Sequence, residues 1–329
     1  MSKIKVVVVL QNKGGVTKTT SSSLLAEAAS LLRDKRVLLI DFDGQCNLTS
    51  QWIGHDEVRG EREPPINPDI EPGDLDEFNE RSAITDIFLD GKSVETYLTP
   101  IGTGNKDDVD APRVELVACS GSGMRRIQEN IQVPESTATH GRQLVEGVAT
   151  SQVIRGLHDF CHAEGMDELY DLIIIDTGPG VNTLFRAALA AATHVVSPYI
   201  PESLSVLGIG PLIQQVETAN ENRFYGGAPI EFIGLLPSKV DTRSPVHQET
   251  MKAMASHPAM KGVHFPEGMF VPSSVHIQRR STTNRPRLDP YSIFQMKPSE
   301  PIRRQCESVF LYMLDKIFDE SKQQEVQHG

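Results

Sequence analysis

Long apolar runs are missing from this chain. No stretch of about 18 apolar residues occurs in its 329 positions, so a membrane-spanning helix is not expected. The first residues show no charged-then-apolar leader with a small-residue cleavage site. The last ones, Glu320 to Gly329, offer no apolar face to lie on a membrane. Cysteine is scarce: Cys46, Cys119, Cys161 and Cys306 are scattered without a Cys-x-x-Cys pair, which speaks against a disulfide framework and a thiolate-held iron–sulfur cluster. Internal repeats and long low-complexity tracts are absent too. The expectation is a cytoplasmic protein without a membrane partner.

At 39% hydrophobic residues, the chain has enough apolar material for one large α/β core. Its net charge is −12, and that charge is unevenly spread. Residues 55–115 hold 17 acidic and 6 basic side chains, a local balance of −11, whereas 279–304 hold 7 basic against 2 acidic. The Pro-, Glu-, Asp- and Gly-rich part at about 55–81 reads as an exposed, mobile insertion. The basic stretch has two open readings: a phosphate-contacting surface for nucleic acid, or a solvated face that balances the acidic insertion.

Short, continuously apolar, β-branched runs occur at 3–10, 36–41, 114–119, 172–176, 194–198, 232–237 and 269–272. Such runs mark strands covered on both faces. Helical patterns fall between or after them, at 19–32, 141–162, 204–222, 245–255 and 301–318. The alternation predicts a single α/β domain over 1–329: a doubly wound, mostly parallel sheet with helices on both faces, a three-layer sandwich. Ligands of such sheets sit at the carboxyl ends of the strands.

One such end is followed by Gln11-Asn12-Lys13-Gly14-Gly15-Val16-Thr17-Lys18-Thr19-Thr20, and then by a helix. A glycine-rich turn there aims backbone N–H groups and the positive end of the helix dipole at one spot. Lys18 adds a full charge, and the Thr19 hydroxyl stands where a Mg²⁺ ligand is needed. The spot suits a polyphosphate. Two further strands end in acids: Asp41, followed by Phe42-Asp43-Gly44-Gln45-Cys46-Asn47, and Asp176, followed by Thr177-Gly178-Pro179. A carboxylate at the end of a central parallel strand can hold Mg²⁺, usually through water.

These segments together resemble the deviant Walker A ATPases of the ParA/MinD group, whose loop reads Lys-Gly-Gly-x-x-Lys-[Ser/Thr]. Lys13, Gly14, Gly15, Lys18 and Thr19 match it. Thr17 and Cys46 stand where the family has glycine, Gly44 where its second signature has proline, and Gly178 where it writes Thr-Pro-Pro. The resemblance implies ATP and Mg²⁺ as cofactors, with ATP held by residues 14–20 (Gly14, Gly15, Val16, Thr17, Lys18, Thr19 and Thr20). Lys13 is implied to cross an ATP-bound homodimer to the partner's phosphates, Asp41 to orient or deprotonate the attacking water, and Thr19 and Asp176 to serve the metal. Pro272 takes the family's adenine-bracketing position, with Asp241 and Arg243 in the neighbouring loop, where a plain structural turn is an equal reading.

The ParA branch further implies binding of non-specific DNA through Arg279, Arg280, Arg285 and Arg287, nucleoid association in the ATP state, and a ParB-type adaptor. The implied role is segregation or positioning of plasmid or chromosomal DNA. Two alternatives stand beside it: a cargo-positioning or regulatory switch acting on a protein without DNA, and a nucleotide-binding scaffold with little hydrolysis. His158, Cys161 and His162 lie on one helical turn but lack further ligands at a recognisable spacing, so a plain helix face is expected there.

Overall fold

The computed structural model describes residues 4–15, 17–67, 81–89, 93–102, 110–130, 150–202, 208–223, 227–260, 262–281 and 291–318. In chain order the elements are β1 (Lys5–Val9), α1 (Lys18–Arg33), β2 (Arg36–Phe42), α2 (Asn47–Trp52), β3 (Asp56–Val58), β4 (Glu61–Glu63), α3 (Asp86–Leu89), β5 (Tyr97–Gly102) and β6 (Arg113–Val117). There follow α4 (Gly121–Asn130), α5 (Thr150–Cys161), α6 (Met166–Leu169), β7 (Leu172–Thr177), α7 (Thr183–Ala191), β8 (His194–Tyr199), α8 (Ile209–Glu221), β9 (Glu231–Pro237), α9 (Pro245–Ser256), α10 (Val275–Arg280) and α11 (Pro301–Phe318).

Seven strands form one sheet in the order β5-β6-β2-β7-β1-β8-β9. Every neighbouring pair is parallel except β5 with β6, which is antiparallel. The apolar runs are continuous because consecutive side chains enter different cores. Val7, Val9, Val37, Leu39, Leu172 and Ile174 face a cluster completed by α1 and α11. Val6, Val8, Leu38, Ile40, Ile173 and Ile175 face the opposite cluster, completed by α5 and α7. The doubly wound three-layer sandwich expected from the pattern is the architecture found.

Register brings the chemistry together. Val9 pairs with Asp176 across β1 and β7, and Asp41 pairs with Asp176 across β2 and β7. The loops after β1, β2 and β7 therefore leave the sheet side by side.

The pattern misled in three places. The run at 269–272 makes no ladder strand; an isolated parallel bridge joins Val240 to Pro272, through the Val271 carbonyl and the Ser273 N–H. The edge strand β5 carries Thr99, Pro100 and Gly102 and showed no apolar run, because an edge strand is covered less fully. The segment after His55 is not a plain exposed loop: β3 and β4 form an antiparallel hairpin, Glu63 and Asn67 are buried, and Arg81 pairs with Asp56 at 2.6 Å. Residues 68–80, 141–149 and 204–207, parts of other expected segments, lie outside the described residues.

Gly234 allows the close packing at the β9 edge. Its φ is +151°, and a Cβ there would stand 2.9 Å from the Val263 carbonyl oxygen and 3.0 Å from the Phe265 ring. Gly234→Ala is expected to destabilise the fold by about 2 kcal/mol through overpacking and backbone strain. A lower urea midpoint at unchanged slope checks this; an unchanged midpoint contradicts it.

Candidate nucleotide site

A cavity of about 440 Å³ opens at the carboxyl ends of β1 and β7. It is lined by Gly14, Gly15, Thr17, Lys18, Thr19 and Thr20, by Asp43, Gln45 and Pro179, and by Lys239 and the segment Val271–Ser274 with α10. Its volume falls in the range of small-ligand sites. Gly14 and Gly15 are exposed, and Gly15 has φ +75°, a conformation that glycine adopts without strain.

Lys18 begins α1 and is buried, with 7% of its surface exposed. Its ammonium donates to the carbonyls of Gln11 at 3.3 Å and Lys13 at 3.4 Å. Burial lowers its pKa from the usual lysine value, while Asp176 and Asp43 act in the opposite direction. The Thr19 hydroxyl donates to Asp176 Oδ2 at 2.7 Å, and the Ser22 hydroxyl to Asp176 Oδ1 at 2.8 Å. Asp176 is fully buried, and that burial raises its carboxyl to about 6; the two hydroxyls and Lys18 pull it down and Asp43 pushes it up.

The two acids of the second segment separate sharply. Asp41 is fully buried and away from both neighbouring cavities. Its Oδ2 accepts from the Thr49 N–H at 2.8 Å and the Thr49 hydroxyl at 2.7 Å, and its Oδ1 from the Asp43 N–H at 3.3 Å. Burial first, and then the Asp176 charge, lift its carboxyl to about 8. A shielded, largely protonated group cannot reach a water on the ligand. The expectation that Asp41 handles the attacking water is corrected: Asp41 anchors the loop, and Asp43 two residues on lines the cavity. The strand alternation carries the reason, since only the residue beyond the last ladder pair, Phe42 with Thr177, is free to turn toward the ligand. The spacing Asp-Phe-Asp contained that signal, but nothing local ranked the two acids.

Gly178 is explained by the same loop. A Cβ at this position would sit 3.0 Å from Asp43 Oδ1, so the absent side chain leaves room for the carboxylate. The loop beyond is tied to the first one by the Gly180 N–H donating to the Asn12 carbonyl at 3.2 Å. Thr17 and Cys46, the residues in glycine positions, keep the glycine conformation, with φ of 66° and 50°. Left-handed backbone costs a side-chain-bearing residue about 1–2 kcal/mol, so the surrounding packing imposes both.

Other expected residues divide. Pro272 lines the cavity, whereas Asp241 and Arg243 pair with each other at 3.1 Å in an exposed turn and do not line it. Lys239, which the sequence reading passed over, does line it, at φ 54°. Lys13 is half-buried, and its side chain makes no ion pair among the described residues. Arg279 is exposed at the end of α10. Arg280 is not: it is 7% exposed and its guanidinium donates to the carbonyls of Tyr291 and His276, both at 3.1 Å. Its expected DNA contact is corrected to a structural role, because a buried guanidinium held by carbonyls has no access to a phosphate. Val16, Arg285 and Arg287 lie outside the described residues. His158 and His162 stack at 4.7 Å, His162 bonds the Ala191 carbonyl at 2.8 Å, and no group of metal-ligating side chains occurs among the described residues. No helix among them is long and apolar enough to cross a membrane.

A glycine-rich loop between β1 and α1, with a buried lysine, a hydroxyl on an acid from the neighbouring strand and an open cavity above, defines a phosphate-loop nucleotide-binding protein. Residues 7–286 match the family model described as the CobQ/CobB/MinD/ParA nucleotide binding domain, and the chain belongs to that family of ParA-like phosphate-loop ATPases. Among curated relatives, a ParA family protein of Mycoplasma pneumoniae is 22% identical over 259 residues, 78% of this chain and 79% of the relative. Two solved structures share the fold. The cobyrinic acid a,c-diamide synthase of Mycobacterium smegmatis, with a bound ATP analogue and magnesium, is 19% identical at a TM-score of 0.59, covering 95% of this chain and 94% of its own. The pNOB8 ParA bound to nonspecific DNA is 16% identical at a TM-score of 0.55, covering 96% and 99%.

The raised Asp41 carboxyl has a measurable consequence. Unfolded, it titrates near 3.8; folded, at about 8. Folding therefore takes up a proton between those values, and stability falls as pH rises through that window. Asp41→Asn removes this dependence. Its stability relative to the native chain is expected to climb by a few kcal/mol from pH 4 to 8 and level off above, at about 1.4 kcal/mol per pKa unit. Urea unfolding at several pH values measures it, and a pH-independent difference refutes the assignment.

Proposed function

We propose that this chain is a Mg²⁺-dependent ATPase of the ParA type that dimerises on ATP, binds DNA without sequence preference and positions or segregates that DNA. The observation that carries the reading is the gathering of Lys18, Thr19 and Asp43 on one open cavity beside the glycine-rich loop, with Asp176 buried behind the Thr19 hydroxyl that it accepts from. The backbone N–H groups from Gly14 to Thr20, with the Lys18 ammonium freed from the Gln11 and Lys13 carbonyls, hold the triphosphate. Asp43 orients the attacking water and accepts its proton, and Asp41 with Thr49 keeps the Asp43 loop in place.

Asp43 and Asp176 both act on the one ammonium of Lys18, and the Thr19 hydroxyl and Asp176 supply hard oxygen donors. That donor set fits Mg²⁺. When bound, the ion neutralises charge on the phosphoryl oxygens. Pro272 and Lys239 flank the base end. Lys13, unpaired within its own chain among the described residues, reaches the phosphates of a second copy. Arg279, with Arg285 and Arg287, contacts DNA phosphates, and a ParB-type adaptor accelerates turnover and so sets how long the DNA-bound state lasts.

A second reading, a switch acting on a protein partner without DNA, is favoured by the burial of Arg280 and by the Arg303–Glu307 pair, which take two cations out of the basic stretch. The tests separate these steps. Lys18→Ala is expected to lose ATP binding. Asp43→Ala should keep it and lose about 10²- to 10⁴-fold in phosphate release; undiminished release removes Asp43 from the water-handling role. Lys13→Ala should bind ATP yet remain monomeric in light scattering. Random duplex DNA should shift only with ATP and only at low salt; no shift selects the second reading.

A further inference from the structure

Next to the nucleotide cavity lies a second one, of about 300 Å³, between the start of α1, helix α2 and the β3–β4 hairpin. Thr20 and Ser281, whose hydroxyls share a hydrogen bond of 3.2 Å, line both cavities and form the partition. The second cavity is lined by Arg62, His55, Gln51, Ser50 and Asn47 in addition to threonine and serine hydroxyls, and no carboxylate is among its lining residues. In a chain of net charge −12 that composition is selective.

Three of the hairpin's four acids are held by other partners. Asp56 pairs with Arg81 at 2.6 Å, Glu61 with Arg125 at 3.0 Å, and Glu63 accepts the Ser122 N–H at 3.0 Å. The fourth, Glu57, stands opposite Arg62 in the hairpin register but does not line the cavity, so Arg62 carries the one full charge among the lining residues. His55 adds a second observation: its Nδ1 is buried without a hydrogen-bond partner among the described residues. With no acceptor for a proton on Nδ1, the ring favours carrying its proton on Nε2, which leaves the Nε2–H as its donor.

We propose that this cavity is a second anion site, taking a phosphate-type oxyanion, either inorganic phosphate or the phosphate of a small monoester. The guanidinium of Arg62 and the ring of His55 donate to the oxyanion, with the hydroxyl and amide groups completing its shell. The site is connected to the nucleotide cavity. Arg62 Nη1 also donates to the Gln45 carbonyl at 3.0 Å and to Asn47 Oδ1 at 3.2 Å, so it grips the loop that carries Asp43. An oxyanion on Arg62 redirects that grip and shifts the Asp43 loop. Only this coupling rests on the ATPase reading; the anion site itself does not.

The test uses the full chain carrying Lys18→Ala, which removes phosphate binding at the glycine-rich loop, with inorganic phosphate as the probe in calorimetry. One phosphate is expected to bind this variant. Adding Arg62→Gln, at an exposed side chain, should weaken that binding at least tenfold, and His55→Gln should weaken it independently. Competition by glycerol 3-phosphate at equal concentration identifies a monoester site, and its failure to compete identifies the free ion. Loss of all phosphate binding on Lys18→Ala alone overturns the proposal, as does unchanged affinity after both further substitutions. ATP titrated into the native chain tests the nucleotide site separately.

Discussion

Three carboxylates and one ammonium share the carboxyl ends of adjacent strands, and much of the site follows from that crowding. The register that sets Asp41 opposite Asp176 puts two acids in dry surroundings a strand apart, with Asp43 close enough to push the Asp176 carboxyl further up. Asp41 escapes the conflict by holding its proton, and Lys18, itself lowered by burial, is left between Asp176 and Asp43. The fold resolves the conflict by hydrogen bonding: Thr49 holds Asp41, and Thr19 and Ser22 hold Asp176. What remains is a set of oxygen donors beside a glycine-rich loop that presents N–H groups, the arrangement on which the proposed cation and phosphate sites rest.

The same loops store strain. Thr17 and Cys46 both hold left-handed backbone conformations that glycine adopts without strain, one at the entry to α1 and the other at the entry to α2. Both flank cavity-lining residues. The conformations persist because ladder pairing on one side and helix burial on the other leave the chain no alternative path. That residues with side chains hold this backbone geometry indicates that loop shape, which sets where the N–H groups point, is the constrained quantity.

Charge distribution has to be read together with burial. The basic stretch that the sequence presents as a surface is divided by the fold: Arg279 faces solvent, Arg280 braces α10 against the Tyr291 backbone, and Arg303 pairs along α11. The acidic stretch is divided as well, since the hairpin engages its carboxylates with Arg81 and Arg125 and leaves Arg62 beside a cavity. Sign counts along a chain predict a partner only after such internal pairing is subtracted.

Sequence by itself determined the layering, the order of strand and helix, and the loop at 13–20, because those depend on local period: continuous β-branched runs require two covered faces, and a glycine turn before a helix exposes N–H groups. It also placed Thr19 and Asp176 together, since the loop from β1 into α1 and the end of β7 are brought side by side by the fold class. Tertiary structure alone decided between Asp41 and Asp43, buried Arg280, brought Lys239 to the cavity and turned the acidic segment into a hairpin. Each of those outcomes depends on which neighbour covers a side chain, and that neighbour lies far away in the chain, beyond the reach of spacing or composition.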